Sequence, residues 1–91
     1  MRLHWTSKAL RDLARLHAFL LPTNPEAAAK VVQAIARMVG RLAEYPRMGE
    51  RLDQFSSNEI RRIIVGNYEI RYEIREAVIY VVRLWHTRED R

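Results

Sequence analysis

Arginine supplies most of the polar chemistry in this sequence. The chain has 16 basic residues, and all but Lys8 and Lys30 are arginine. A guanidinium group matches phosphate and carboxylate groups with planar, bidentate hydrogen bonds, and it stacks on bases and aromatic rings. These residue types indicate a protein that binds anionic groups, although GC-rich codon usage would also replace lysine with arginine throughout a sequence.

Thiolate and metal chemistry are not expected. The chain has no cysteine, so it can form neither disulfides nor thiolate nucleophiles. His4, His17 and His86 are far apart, and none lies at the spacing typical of a transition-metal site. We therefore expect no metal and no other cofactor.

The overall charge narrows the class of partner. The formal charge is +5 and the isoelectric point is near 10.2, which favours nucleic acid or an acidic protein as the partner.

No apolar run approaches the roughly 18 residues needed to cross a bilayer. Charged residues at Arg11, Asp12 and Arg15 also interrupt the place where a signal peptide would be apolar. We expect a cytoplasmic protein with no membrane partner.

The size and composition predict one small folded domain over residues 1–91. With 48% hydrophobic and 30% charged residues, the chain has the composition of an ordinary globule. It is too short for separate cofactor and substrate domains, so large enzymes are excluded.

The elements that position the basic residues begin with a short strand over Arg2–Trp5 and two helices. Thr6 or Ser7 can cap the first helix, predicted over residues 8–21, and Asn24 with Pro25 can begin a second helix that continues to about Tyr45. The apolar spacing in the first helix predicts that its core-facing positions are Leu10, Leu13, Ala14, His17, Leu20 and Leu21, with Lys8, Arg11, Asp12 and Arg15 opposite. In the second helix the apolar stripe is Ala28, Val31, Val32, Ile35, Met38, Val39 and Leu42. The short connection predicts an antiparallel helical hairpin.

The second half of the chain reads as a loop and three strands. A loop is predicted over residues 46–58, anchored by Met48, Leu52 and Phe55. β-Branched and aromatic residues then predict strands over 60–65, 68–74 and 78–85, with turns at residues 66–67 and 76–77. The middle strand alternates: Tyr68, Ile70, Tyr72 and Ile74 should face the core, and Glu69, Arg71, Glu73 and Arg75 should face solvent or a partner.

The last strand is largely apolar on both faces, which places it centrally in the sheet or beneath a bound segment. The order β-α-α-β-β-β predicts an α+β fold, with the helical hairpin packed on one face of a small, mainly antiparallel sheet.

Several segments, taken in order over the whole chain, resemble the RelE/ParE toxins of bacterial type II toxin-antitoxin systems. The segments are Ala9, Asp12-Leu13 and Leu16; Tyr45-Pro46-Arg47-Met48-Gly49; Arg61-Arg62; Val65-Gly66-Asn67-Tyr68 with Ile70 and Tyr72; and residues 82–90. The resemblance implies a RelE/ParE-like fold. It also implies a toxin kept harmless by a cognate antitoxin whose acidic, amphipathic C-terminal segment wraps the toxin's sheet and helices.

The resemblance leaves two toxic activities open, and a third interpretation is a degenerate toxin or a small nucleic-acid-binding module without toxicity. RelE-like members are ribonucleases that cut mRNA on the ribosome, whereas ParE-like members bind DNA gyrase and stall replication. This chain resembles the ParE-like branch more closely in its length and ending. We therefore expect a non-catalytic gyrase inhibitor, with a ribosome-dependent endoribonuclease as the alternative.

Glu69 separates the two branches. The family's ribonucleases place an arginine directly after the tyrosine that follows the hairpin turn, where this chain has Glu69 after Tyr68. A carboxylate there would repel the phosphate in a transition state, although Arg71 on the same face could substitute. No tyrosine follows Tyr80, so the C-terminal tyrosine of the ribonucleases is missing as well. On this interpretation Glu69→Arg would leave toxicity unchanged.

The candidate site residues differ between the two activities. For a ribonuclease, the resemblance implies the catalytic candidates Arg62, Arg71, His86 and Arg88. For a gyrase inhibitor, the target-binding candidates are Arg61, Arg62, Arg71, Arg83, His86 and Arg88, with the tail through Arg91. Structural alternatives are that Arg71 pairs with a neighbouring glutamate and that His86 packs beside Trp85.

Overall fold

A computed structural model describes residues 1–55 and 57–89 of the chain. The elements are β1 (Arg2–Trp5), α1 (Ser7–Leu20), α2 (Pro25–Arg41), β2 (Glu50–Arg51), a 3₁₀ turn (Asp53–Phe55), β3 (Glu59–Val65), β4 (Tyr68–Arg75) and β5 (Val78–His86). The strands form one sheet in the order β1-β5-β4-β3-β2, in which β1 runs parallel to β5 and the other described pairs are antiparallel. The α+β prediction is confirmed.

The core lies between the helical hairpin and one face of the sheet. Its buried side chains are Ala9, Leu16, Ile35, Val39, Leu42, Ile63, Ile70, Tyr72, Ile74, Ile79, Val81 and Leu84. The opposite sheet face, here called the outer face, is covered by neither helix. No helix in the described part of the chain is long and apolar enough to span a membrane.

Both helices begin where their capping residues predict. The Thr6 hydroxyl accepts the backbone N–H of Ala9 at 3.2 Å and donates to the carbonyl of Val81 at 2.8 Å, so Thr6 also ties α1 to β5. Asn24 caps α2 by accepting the N–H of Ala27 at 3.1 Å. The prediction that α2 reaches Tyr45 is wrong, because the chain tightens into consecutive turns with i→i+3 hydrogen bonds after Arg41.

The predicted core face of α1 is confirmed at Leu13, which packs against the core, and wrong at other positions. Ala9, Asp12 and Leu16 are buried, whereas Leu10 and Leu21 are 51% and 42% exposed. Asp12, which the sequence placed on the solvent face, is turned inward because it is the hydrogen-bond partner of groups on β5. The stripe predicted for α2 is confirmed at its buried positions, among them Ile35, Val39 and Leu42.

The segment between α2 and β3 is more ordered than the predicted loop. It contains β2, which pairs with β3, and the 3₁₀ turn. Leu52 is buried as expected, but Met48 and Phe55 are exposed, so the prediction that both anchor the core is wrong.

The three long strands match their predicted ranges to within one residue at each end. The turn between β3 and β4 has Gly66 at φ +60°, and the turn between β4 and β5 has Glu76 and Ala77 both at positive φ. The prediction that β5 lies inside the sheet is confirmed, since β5 pairs with both β1 and β4.

The faces of β5 differ from simple alternation. The register shifts between Arg71 and Tyr72: Arg71 pairs with Arg83 and Tyr72 pairs with Val81. The extra residue, Val82, is a bulge that moves Leu84 onto the core face. The same shift puts Arg83 opposite Arg71.

Candidate functional site

Three arginines lie side by side across the outer face of the sheet. Arg62 on β3 is the register partner of Arg71 on β4, and Arg71 is the register partner of Arg83 on β5. Like charges in directly opposed positions destabilise a sheet. A row of three guanidinium groups, called the arginine row from here on, therefore depends on the carboxylates that pair with it.

Glu69 is buried within this face. Its side chain is 3% exposed, and its carboxylate lies 3.0 Å from Arg71 Nε and 3.6 Å from Arg62 Nη1. Arg62 has a second partner in the exposed Glu50, at 3.1 Å. From the sequence, the Glu69 carboxylate is expected to face the target and repel a phosphate group. The structure instead places it between two cations, and Glu69 and Glu50 together balance the charges of Arg62 and Arg71.

Aromatic rings flank the central arginine. The guanidinium carbon of Arg71 lies 4.9 Å from the centre of the Trp85 ring and 5.9 Å from that of Phe55. Cation–π contacts of this kind hold a guanidinium over a ring face. Trp85 is buried and Phe55 is exposed, and both rings border Arg71 on the outer face.

Arg61 is separate from the arginine row. Its register partner is Tyr72, whose side chain belongs to the core face. Arg61 Nη1 donates to the carbonyl of Gly49 at 2.7 Å, and Arg61 Nε donates to Glu59 at 2.8 Å. The hydrogen bond from Arg61, with another from Arg47, holds the pKa of Glu59 below its ordinary value despite partial burial. Arg61 therefore holds the loop that precedes β2.

Tyr72 and Gly49 complete this anchor, and sequence reasoning missed both roles. The Tyr72 hydroxyl donates to the carbonyl of Pro46 at 2.8 Å and accepts the N–H of Gly49 at 2.9 Å. A Cβ on Gly49 would lie 2.6 Å from the carbonyl oxygen of Arg62 and from the Tyr72 hydroxyl. The family-like segment at residues 45–49 is thus explained by packing, which only the tertiary structure reveals.

Arg83 is anchored by a buried carboxylate that the sequence placed in solvent. Asp12 accepts from Arg83 Nε at 2.8 Å and from the N–H of Leu84 at 2.9 Å. β1 pairs with β5 only as far as Val81, so the Leu84 N–H faces α1 instead of a strand. Burial raises the pKa of Asp12, but the hydrogen bonds from Arg83 and Leu84 outweigh it, and the pKa lies below its ordinary value.

His86 and Arg88 lie on the helix side at the end of the sheet. The His86 ring packs edge-on against Tyr68, with ring centres 5.2 Å apart, and Nδ1 accepts the backbone N–H of Arg88 at 3.1 Å. It does not share a face with Trp85, so that alternative is wrong. Here the structure forms a groove of about 570 Å³ lined by Arg15, Leu16, Phe19, Leu20, Tyr68, His86, Arg88 and Glu89, called the end groove below.

The six candidate residues are therefore divided among three places. Arg62, Arg71 and Arg83 form the arginine row, Arg61 braces a loop, and His86 and Arg88 belong to the end groove. Arg91 lies outside the described residues.

Within the described part of the chain, no three side chains of His, Asp or Glu come together as metal ligands. The arginine row can bind an anionic partner, but it contains no group suited to take a proton at neutral pH.

The fold and site define a small α+β protein with a row of paired arginines on one face of its sheet. Residues 3–91 match the family described as ParE toxin of type II toxin-antitoxin system, parDE. The chain belongs to this family and is therefore a toxin of the ParE/RelE superfamily. Membership implies a cognate antitoxin as partner.

The chain is similar to proteins whose names carry either RelE or ParDE. The chain is 32% identical over 82 residues to Toxin RelE2 of Caulobacter vibrioides, and the aligned region covers 90% of this chain and 90% of that one. It is 46% identical over 48 residues to Putative toxin Y4kP of Sinorhizobium fredii, covering 53% of this chain and 50% of that one. In a solved structure titled "Chromosomal ParDE TA system from P. aeruginosa", one chain superposes with a TM-score of 0.80 at 24% identity, over 94% of this chain and 95% of that one. This last likeness supports the fold.

Proposed function

We propose that this toxin inhibits DNA gyrase by direct, non-catalytic binding, and that the arginine row is its target-binding face. The observation that carries the proposal is the separation of the ribonuclease candidates. Arg62 and Arg71 lie on the outer face, whereas His86 lies on the helix side, where its Nδ1 already accepts a hydrogen bond. A base and its phosphate-binding cations must reach one substrate together. Arg88 lies beside His86, but Arg62 and Arg71 are on the other face of the sheet.

Inhibition by binding places fewer requirements on these residues than RNA cleavage does. It needs a rigid surface of charged and aromatic groups, and the arginine row beside Phe55 and Trp85 provides one. A buried carboxylate lies against each of the three arginines, so their side chains lose little freedom when a target binds.

We further propose that the antitoxin neutralises the toxin through the end groove. Phe19, which is 80% exposed, lies beside Tyr68 and the backbone-bonded His86 there. An acidic, amphipathic antitoxin segment could cover Phe19 with its apolar face and meet Arg88 with its acidic face. Both activities considered for the toxin act in the cytoplasm, which is where we place it.

The test is the primary event after induction in a host without the antitoxin. We expect filamentation with DNA damage, and stabilised cleavage complexes when the purified toxin is added to purified gyrase. Arg71→Ala should weaken gyrase inhibition at least about tenfold, as expected for losing a central arginine contact. Arg75→Ala is the matched control on the same strand and face, and it should not change inhibition.

The ribonuclease alternative makes the opposite predictions. It requires cuts in ribosome-bound mRNA while DNA replication continues, and it requires that His86→Ala abolish them. Either result would overturn the gyrase proposal. On that proposal, His86→Ala retains gyrase inhibition.

A further inference from the structure

We infer that Glu69 is the positioning residue of the target-binding face: its buried carboxylate holds Arg62 and Arg71 in the orientation in which they meet the target. This inference rests on the proposed function, because it needs a target that the arginine row binds. It reverses the role that the sequence alone gave to Glu69, which was to oppose an anionic ligand.

The geometry assigns one carboxylate oxygen to each arginine. Glu69 Oε2 accepts from Arg71 Nε at 3.0 Å, and Oε1 lies 3.6 Å from Arg62 Nη1. The two arginines belong to different strands, so one side chain ties β3 to β4 at the level of the arginine row. Among the described residues, the hydrogen bond from the Arg71 side chain is the one from Nε to Glu69.

The charges explain why a carboxylate is needed at this position. Arg62 and Arg71 are directly opposed, and without a shared counter-charge they would repel each other. Arg62 already has an alternative partner in Glu50 at the exposed edge. That glutamate already accepts from Arg62 Nε at 3.2 Å and Nη2 at 3.1 Å. Removing the charge of Glu69 should therefore leave Arg62 on Glu50 alone and let Arg71 move away from the Trp85 ring.

Positioning and simple electrostatics predict opposite effects on binding. If only net charge mattered, neutralising Glu69 would improve binding to an anionic target. If Glu69 positions the arginines, the same change weakens binding, because side chains that were already ordered must now be ordered at the moment of association. The sign of the effect distinguishes the two.

The decisive variant is Glu69→Gln, which keeps the shape of the side chain and removes its charge. Its matched control is Glu73→Gln, four residues further along β4 and on the same face. Two activities are measured: growth arrest at equal toxin levels in a host without antitoxin, and half-maximal inhibition of purified gyrase. Heteronuclear NMR of the arginine Nε–Hε groups reports whether Arg71 is held, independently of any target.

We expect Glu69→Gln to raise the concentration for half-maximal inhibition at least about tenfold, the loss expected when a charged hydrogen bond no longer holds its donor. The slowly exchanging Arg71 Nε–Hε signal should also disappear, and Glu73→Gln should change neither measurement. Equal or stronger inhibition by Glu69→Gln would overturn the inference, as would an Arg71 Nε–Hε group that exchanges freely in the wild type.

Measuring growth arrest as well as gyrase inhibition distinguishes failure of the gyrase proposal from failure of the positioning role of Glu69. If the wild type arrests growth without inhibiting gyrase, the proposed function fails, and the effect of Glu69→Gln on growth arrest still tests the positioning role. If the wild type inhibits gyrase and Glu69→Gln does so equally well, the positioning role fails and the proposed function stands.

A second variant serves if Glu69→Gln does not fold. Arg71→Lys keeps the charge of the arginine row but lacks the Nε–H group that Glu69 holds. We expect it to lose potency, while Arg75→Lys, outside the row, keeps it. Full potency in Arg71→Lys would contradict the inference.

Discussion

Asp12 and Arg83 are joined by a 2.8 Å hydrogen bond between residues 71 positions apart in the sequence, and the same carboxylate accepts the N–H of Leu84. This contact fastens α1 to the part of β5 that β1 does not pair with. Because Asp12 is buried, losing it leaves the Leu84 N–H without its acceptor.

We therefore predict that Asp12→Ala lowers the free energy of unfolding by about 1–3 kcal/mol, the cost of an unsatisfied buried donor. Urea denaturation measures the change. Asp53→Ala, an exposed carboxylate in the 3₁₀ turn, is the control and should stay within about 0.5 kcal/mol of the wild type. Equal losses in the two variants would show that the Asp12 contact contributes nothing specific.

Stability should fall in acid, and Asp12 and Glu59 should account for part of the fall. The folded state holds the pKa of each carboxyl below its ordinary value of 3.8 for Asp and 4.5 for Glu. The unfolded chain therefore takes up protons first as the pH falls, and the stabilisation present above the ordinary pKa is lost as the pH drops through the folded pKa.

The corresponding measurement is urea unfolding at a series of pH values between about 5 and 2, the window in which such carboxylates are protonated. We expect the double variant Asp12→Ala/Glu59→Gln to be less stable at neutral pH and to lose less stability on acidification than the wild type. Parallel curves for the two proteins would assign the acid sensitivity to other groups.

The strands were predictable because their signals are local. In β4 a strict alternation of apolar and charged residues fixes the strand, and Gly66-Asn67 fixes the turn before it. The face of α1 was not predictable in the same way, because its leucines fit a helical spacing in more than one rotation. The choice depends on the N–H of Leu84, far away in the sequence, which Asp12 accepts where β1 no longer pairs with β5.

The site was predictable in its residue types but not in its arrangement. Both faces of β5 are apolar, so no break in alternation marks the bulge at Val82. Without that bulge, Arg83 cannot be placed opposite Arg71. The burial of Glu69 was equally invisible, since its neighbours in the sequence give a regular outward-facing pattern and its partner Arg62 comes from another strand.

Gly49 should not tolerate a side chain, whereas Gly40 should. A Cβ at position 49 would lie 2.6 Å from the backbone carbonyl of Arg62 and from the Tyr72 hydroxyl, and nothing lies within 4 Å of one at position 40 in α2. We predict that Gly49→Ala costs about 1–3 kcal/mol, as overpacking does. Gly40→Ala should be neutral or stabilising by up to about 1 kcal/mol, because alanine favours a helix. Thermal and urea unfolding of both variants measure this, and a tolerated Gly49→Ala would show that the Tyr72 anchor yields easily.

Phe19 should separate neutralisation from toxicity. Its side chain is 80% exposed at the end groove and away from the arginine row, so Phe19→Asp should leave both stability and growth arrest unchanged. Losing one buried aromatic contact should weaken antitoxin binding at least about tenfold. Calorimetric titration with the antitoxin encoded by the neighbouring gene measures the affinity, and Leu10→Asp, an exposed leucine of α1 outside the groove, is the control. Unchanged affinity in Phe19→Asp would place the antitoxin elsewhere on the toxin, whereas a variant that arrests growth even when the antitoxin is co-expressed would locate neutralisation in the end groove.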